Sequence, residues 1–225
     1  MEPGSTQPRF RCCPPKVRQD EIAVLNAEQA RMFLSAARGD RFECLYTLAL
    51  MCGMRRGQLL GLKWSDIDLS ARTLRINRQL PRRRDGRGLV FTQPKNSSRQ
   101  TIRLPQRATN ALRSHRKKQL EEQLRASTYQ DQGLVFATKM GTPLDAQNVV
   151  KHSFKPLLKK AGLGDMPFHS LRHTYATLLL SKGTHPTYVQ NLLGHKSVSL
   201  TLDLYSHWMP PMGEQTAITM EEALS

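Results

Sequence analysis

The sequence predicts an α+β protein, mainly helical, with one small three-stranded antiparallel sheet. Apolar residues at helical spacing, bounded by polar caps and glycine stops, fill most of the chain. Three short β-like runs cluster between residues 73 and 104, separated by the turn-forming stretches DGRG and PKNSS. The 225 residues are 39% hydrophobic and 23% charged, enough to bury a core without staples and short of any apolar run that would span a bilayer.

Taken in order, the opening MEPGSTQPRFRCCPPK lacks the apolar stretch of a secretory signal, and residues 1–24 read as an irregular tail or linker. NAEQARMFLSAARGD offers Asn26 as a cap, Glu28 in the first turn and a glycine stop, hence a helix. RFECLYTLALMCGMRRGQLLGL predicts a buried helix, a break at Gly53 and a short helix through Leu62, with Arg55 and Arg56 at the joint. Asp66 and Asp68, beside Trp64, read as the turn entering the first strand in preference to a metal site. The expected strands are 73–80, 88–93 and 100–104, with Lys95 at the exposed tip of the second turn.

A long charged helix is expected over about 106–125, and a short GLVFAT run follows it. PLDAQNVVKHSFKPLLKKAGL, FHSLRHTYATLLLSKG, HPTYVQNLLGHKS and SLTLDLYSHW then read as helices, each opened by Pro, Ser or Asp or closed by Gly. This gives one domain over 25–209 and a C-terminal tail or helix over 210–225. The tail has an apolar stripe at Ala217, Ile218, Met220 and Ala223 that would dock on its own body.

Charge narrows the partner. With 34 Lys and Arg against 18 Asp and Glu, the net charge is +16, which favours a polyanion. Basic residues are spread through folded-looking segments such as PRRRDGRG and HRKK, a distribution that fits nucleic acid better than a membrane anchor. The four cysteines form neither a disulfide framework nor a CxxC metal site, so a reducing cytoplasm is the expected compartment.

FHSLRHTYA is the most informative run. On a helix, His169 and Arg172 share a face, His173 lies a further hundred degrees round, and Pro167 places His169 near the N-terminus, where free amides favour an anion such as phosphate. His169 and His173 also stand at the i, i+4 spacing of zinc hydrolases, yet Ser170 occupies the place of the catalytic acid and nothing acidic flanks the pair; no metal is expected. Taken alone, HxxRH would by default be a core pair satisfied by carbonyls, and Tyr205 a core or surface residue whose hydroxyl needs only one partner.

The run has companions. GMRRGQLLGLKWSDIDL, PKNSSRQTIRLP, FHSLRHTYATLLL and LLGHKSVSLTLDLYSH, in that order, resemble the catalytic domain of the tyrosine recombinases, the phage integrase family. The resemblance runs from about Leu25 to about Ala223 and implies that family's fold. It matches Arg55 to the first active-site arginine, Lys95 to the hairpin lysine, His169 and Arg172 to the HxxR pair, His195 to the His-or-Trp position and Tyr205 to the nucleophile. Double-stranded DNA is the implied partner, with self-association into a tetramer on it and no cofactor.

The chemistry is consistent with such a set. A tyrosine is only about 0.1% ionised at neutral pH, so attack on a phosphodiester needs proton removal and charge stabilisation. Arg55 and Arg172 can fork onto the non-bridging oxygens and meet the charge that develops in the transition state. By resemblance, His169 helps take the phenolic proton, Lys95 protonates the departing 5′-oxygen and His195 donates to a phosphate oxygen, leaving a 3′-phosphotyrosine that keeps the bond energy.

Two departures from the family pattern bear on this. Gln58 stands where an acidic residue is usual, which predicts a weaker brace and reduced activity. The first 24 residues are too few for the N-terminal DNA-clamping domain that family members generally carry, so DNA affinity should be modest and steeply salt dependent. The expected function is that of a site-specific DNA recombinase or integrase catalytic domain. The alternatives are strand relaxation of the type IB topoisomerase kind, and a DNA-binding protein with an impaired active site.

Overall fold

A computed structural model describes residues 23–80, 91–92 and 100–194. Its centre is a helix that is apolar on every side. Helix α2 (Glu43–Cys52) buries eight of its ten residues, from Cys44 through Leu50 together with Cys52, and such a helix is stable only when other elements surround it. Helices α1 (Ala27–Ala36), α4 (Gln106–Arg125) and α7 (Ser170–Ser181) pack around it. The heart of the core is a ring cluster in which Phe33 meets Tyr46 edge-on at 5.4 Å and Phe154 meets Phe168 at 5.2 Å. The Tyr46 hydroxyl is satisfied by Ser153 Oγ at 2.6 Å.

Local signals set most boundaries. Asn26 caps α1 by accepting from the Gln29 amide, while Gln29 Oε1 accepts from the Asn26 amide, and Glu28 stands in the first turn as expected. Helix α2 ends at Gly53, whose φ of 61° is the left-handed conformation that favours glycine at this place. The short α3 (Arg56–Leu60) follows. Beyond α4 come α5 (Ala146–Val149), a π turn over Val150–Phe154 and α6 (Lys155–Lys160). The π turn ends two residues before Pro156, which has no amide to continue the i to i−4 ladder.

Helix α8 (Pro186–Leu193) opens on a proline at its first position and closes at Gly194, again left-handed with φ 61°. It packs on α7 through a small cluster of Ala176, Leu180, Val189 and Leu193. Among the described residues, no helix is long and apolar enough to cross a membrane.

The sheet has the expected size and direction but a different membership. It runs β1 (Ile67–Asp68), β2 (Thr73–Ile76), β3 (Gln100–Arg103), with Leu74 facing both Ile67 and Ile102 across antiparallel ladders. Among the described residues the third strand is the short β1, and the described part of the expected run at 88–93 supplies a single bridge between Gln79 and Thr92. Residues 88–90 and 93 lie outside the described part.

Turn chemistry explains why two residues suffice for β1. Asp68 Oδ1 accepts from the amides of Ser70 and Ala71, while Asp66 accepts from the Lys63 amide, Asn77 and Arg78. Both aspartates are organisers of the turn into the sheet. The GLVFAT run forms no strand; it is held by isolated bridges from Leu134 to Lys63 and from Ala137 to Pro143. The expected helix SLTLDLYSHW and the tail beyond it lie outside the described residues.

Candidate active site

The two arginines singled out in the sequence stand 117 positions apart (172 − 55). They meet at the end of α8. Gly53 turns the chain out of α2 so that Met54 is buried and Arg55, extended at φ −67° and ψ 146°, becomes the N-cap of α3. Gln58, itself buried, accepts from the Arg55 amide through Oε1 at 2.8 Å and fixes the backbone from which the guanidinium projects. Half burial pulls the Arg55 pKa below its ordinary value, by desolvation, though a guanidinium remains cationic at any relevant pH.

Arg172 comes from the first turn of α7. His169 is the exposed N-cap of that helix, and its carbonyl receives the Arg172 amide at 3.0 Å. The Arg172 side chain is only 3% exposed. Its Nη1 donates to the Gly53 carbonyl at 2.7 Å and its Nη2 to the Leu193 carbonyl, tying the α2–α3 break to the end of α8. Arg55 Nη2 reaches the next carbonyl, that of Gly194, at 3.5 Å, the long limit of a hydrogen bond. Arg172 is thus locked in the wall of the site, and Arg55 is held loosely at its edge.

The last turn of any helix leaves carbonyls without intrahelical partners, and its negative end favours cations. At α8, side chains from three separate elements take these carbonyls. Gln100 Nε2, at the start of β3, donates to Asn191 O at 3.0 Å and to Leu192 O; Arg172 takes Leu193 O and Arg55 takes Gly194 O. Close packing reinforces the joint. The Tyr175 ring lies so near Gly53 that a Cβ there would sit 2.4 Å from Cδ1, and burial pushes the Tyr175 pKa up to about 12.

His173 lies beside this joint, its ring meeting that of His169 edge-on at 4.7 Å. Burial, and secondarily the charge of Arg172, hold its pKa below the usual histidine value. Among the described residues, no group of three or more His, Cys, Asp or Glu could hold a metal ion. The fold therefore brings Arg55 and Arg172 to one helix end, with Gln58 bonded to the Arg55 backbone, His173 near Arg172 and His169 against His173. Lys95, His195 and Tyr205 lie outside the described residues. Sequence reasoning missed Gln100, because its bonds span 91 and 92 positions and end on backbone carbonyls that no side-chain pattern announces.

The model of the phage integrase family matches residues 17–210. The chain is 34% identical over 217 residues to a protein described as "Tyrosine recombinase XerC-like" from Caldanaerobacter subterraneus, covering 91% of this chain and 55% of that one. It is 29% identical over 194 residues to "Tyrosine recombinase XerA" of Saccharolobus solfataricus, covering 86% and 55%. Thus the chain spans about half the length of the curated relatives it matches. Among solved structures, the Tn1549 transposon integrase in complex with transposon right end DNA superposes with a TM-score of 0.74 at 24% identity, over 93% of this chain and 68% of that one, a likeness of fold. The helices around α2, the small sheet beside them and the paired arginines at the end of α8 thus sit in a chain that belongs to the phage integrase family.

Proposed function

We propose that residues 25–209 form the catalytic domain of a site-specific DNA recombinase or integrase, which breaks and rejoins strands through a transient 3′-phosphotyrosine on Tyr205. The observation that carries this reading is the meeting of Arg55 and Arg172 on the consecutive carbonyls of Leu193 and Gly194. Two guanidiniums converging from distant parts of a strongly basic chain suit a phosphodiester, whose non-bridging oxygens accept from both. The remaining donors of Arg55 are the more available, since its one described side-chain bond is long.

In the reaction, the Tyr205 oxygen attacks phosphorus, His169 helps take its proton and Lys95 gives a proton to the 5′-oxygen as the P–O bond breaks. His195 and the arginines carry the charge on the non-bridging oxygens. Rejoining is the same sequence run backwards from a 5′-hydroxyl. The exposed position of His169 at the N-cap of α7 supports its access to the phenol, with His173 as the support beside it and Gln58 as the support of Arg55. Double-stranded DNA is the partner, and recombination requires several copies, four in a synaptic complex.

A second reading, DNA binding without chemistry, draws on Gln58 in the usual place of an acid. Incubation with a suicide duplex bearing the target site decides between the two. An SDS-stable adduct that disappears in Tyr205→Phe, while duplex binding persists, is the expected result. Binding with no adduct overturns the proposal, and relaxation of a plasmid without recombination would assign the chain to the topoisomerase type.

A further inference from the structure

Successive side chains along a strand point to opposite faces of its sheet. Leu74 and Ile76 of β2 and Ile102 of β3 are buried against the core, so Thr73, Arg75, Thr101 and Arg103 stand on the other face. Register draws these four together: Arg75 lies opposite Thr101, and Thr73 opposite Arg103. The two arginines are therefore diagonal neighbours on adjacent strands, rooted about 7–8 Å apart. Both are exposed. Arg72, also exposed, adds a third cation at the turn into β2, where its Nη1 donates to Gln106 Oε1 at 3.1 Å and its carbonyl accepts from the Leu104 amide.

Positive charge dominates this face. The carboxylate nearest in register, that of Asp68 opposite Thr73, already accepts from the amides of Ser70 and Ala71. Among the described residues, neither Arg75 nor Arg103 makes an ion pair. Like charges on neighbouring strands repel, a cost that a polyanion laid across them removes. Guanidiniums suit phosphate in particular, because each presents a planar fork of donors. Position points to the polyanion that the arginine site would hold. Strand β3 starts at Gln100, which is bonded to the end of α8 where Arg55 and Arg172 meet, and Arg103 lies three residues on, about 10 Å along the strand.

We infer that the outer face of the sheet, through Arg75 and Arg103, binds the phosphate backbone of duplex DNA beside the point of cleavage. This rests on the function proposed above and adds a binding surface to it. The two arginines hold the duplex by charge, read no base and touch no reacting atom.

The test measures the affinity of the 225-residue chain for a fluorophore-labelled duplex of random sequence, by anisotropy over a range of salt. Each phosphate contact contributes about 0.9 to the slope of log K against log salt, so Arg75→Ala with Arg103→Ala should flatten that slope by about 1.8. Between about 50 and 200 mM salt the wild-type chain should therefore lose about 10-fold more affinity than the double variant. Arg75→Lys with Arg103→Lys keeps both charges and should keep the slope. Arg113→Ala with Lys117→Ala removes another exposed pair of cations, from α4, and should also keep it. An unchanged slope in the first variant would make the two arginines merely solvated, and equal flattening in the α4 variant would reduce the effect to net charge; either overturns the inference alone. Two duplexes bound per wild-type chain against one per variant would put a second duplex on this face and overturn its placement beside the cleavage point. Failure of the wild-type chain to bind any duplex would overturn the proposed function together with the inference.

Discussion

Gly53→Ala tests the joint on which the arginine site is built. Gly53 sits at φ 61°, where an L side chain costs about 1–2 kcal/mol. The new methyl would also lie 2.4 Å from Tyr175 Cδ1 and 2.8 Å from Cε1, contacts that force the ring or α7 to move. Overpacking of this kind costs about 1–3 kcal/mol. Together the two effects come to about 2–5 kcal/mol, a fall in Tm of roughly 4–20 °C for a domain of this size. Thermal melting followed by circular dichroism measures the sum, and a double-mutant cycle divides it. In a Tyr175→Ala background the contact is gone and only the left-handed cost should remain, about 1–2 kcal/mol. An equal cost of Gly53→Ala in both backgrounds would refute the claim that the Tyr175 ring is what confines this position to glycine.

Two further perturbations probe the brace and the core. Gln58→Glu keeps the acceptor for the Arg55 amide and adds a charge in the first turn of α3, worth about 0.3–1 kcal/mol. Adduct formation in a single turnover should quicken by about 2- to 5-fold, and slower cleavage would mean that the amide itself is required. His115 is partly buried, its Nε2 bonded to the Val135 carbonyl at 2.7 Å; desolvation is the main cause holding its pKa below the ordinary 6.5. The unfolded chain therefore takes up the proton first, so this contribution to stability is complete above about pH 6.5 and is lost as pH falls. Tm should drop between pH 7.5 and pH 5, and His115→Gln should flatten that drop; an unchanged slope would contradict the assignment.

Much of the helical frame was legible in the sequence because it is punctuated. Helix α4 spans Gln106–Arg125 directly after Pro105, and α8 lies between Pro186 and Gly194, so local chemistry settles where each begins or ends. Strand β1 was not legible. Two residues carry no periodicity, and what makes them a strand is the network around Asp66 and Asp68, side chains that were read only as turn formers. The arginines were identified by resemblance to a family, not by spacing, since nothing local in GMRRG or HSLRH says that the two will meet. The clasp that joins them was invisible for a deeper reason: its acceptors are main-chain oxygens, which every residue type supplies alike.

That same property has a consequence for how the protein can vary. Because the grip at the end of α8 falls on peptide oxygens, the amino acids supplying them carry no information for it, and an exposed position such as Asn191 is free to drift without loosening the hold. The constraint moves instead to the donors and to the glycine that bends the chain away. A lineage of such proteins could repaint this stretch of its surface while the spacing of its two cations stayed as it was.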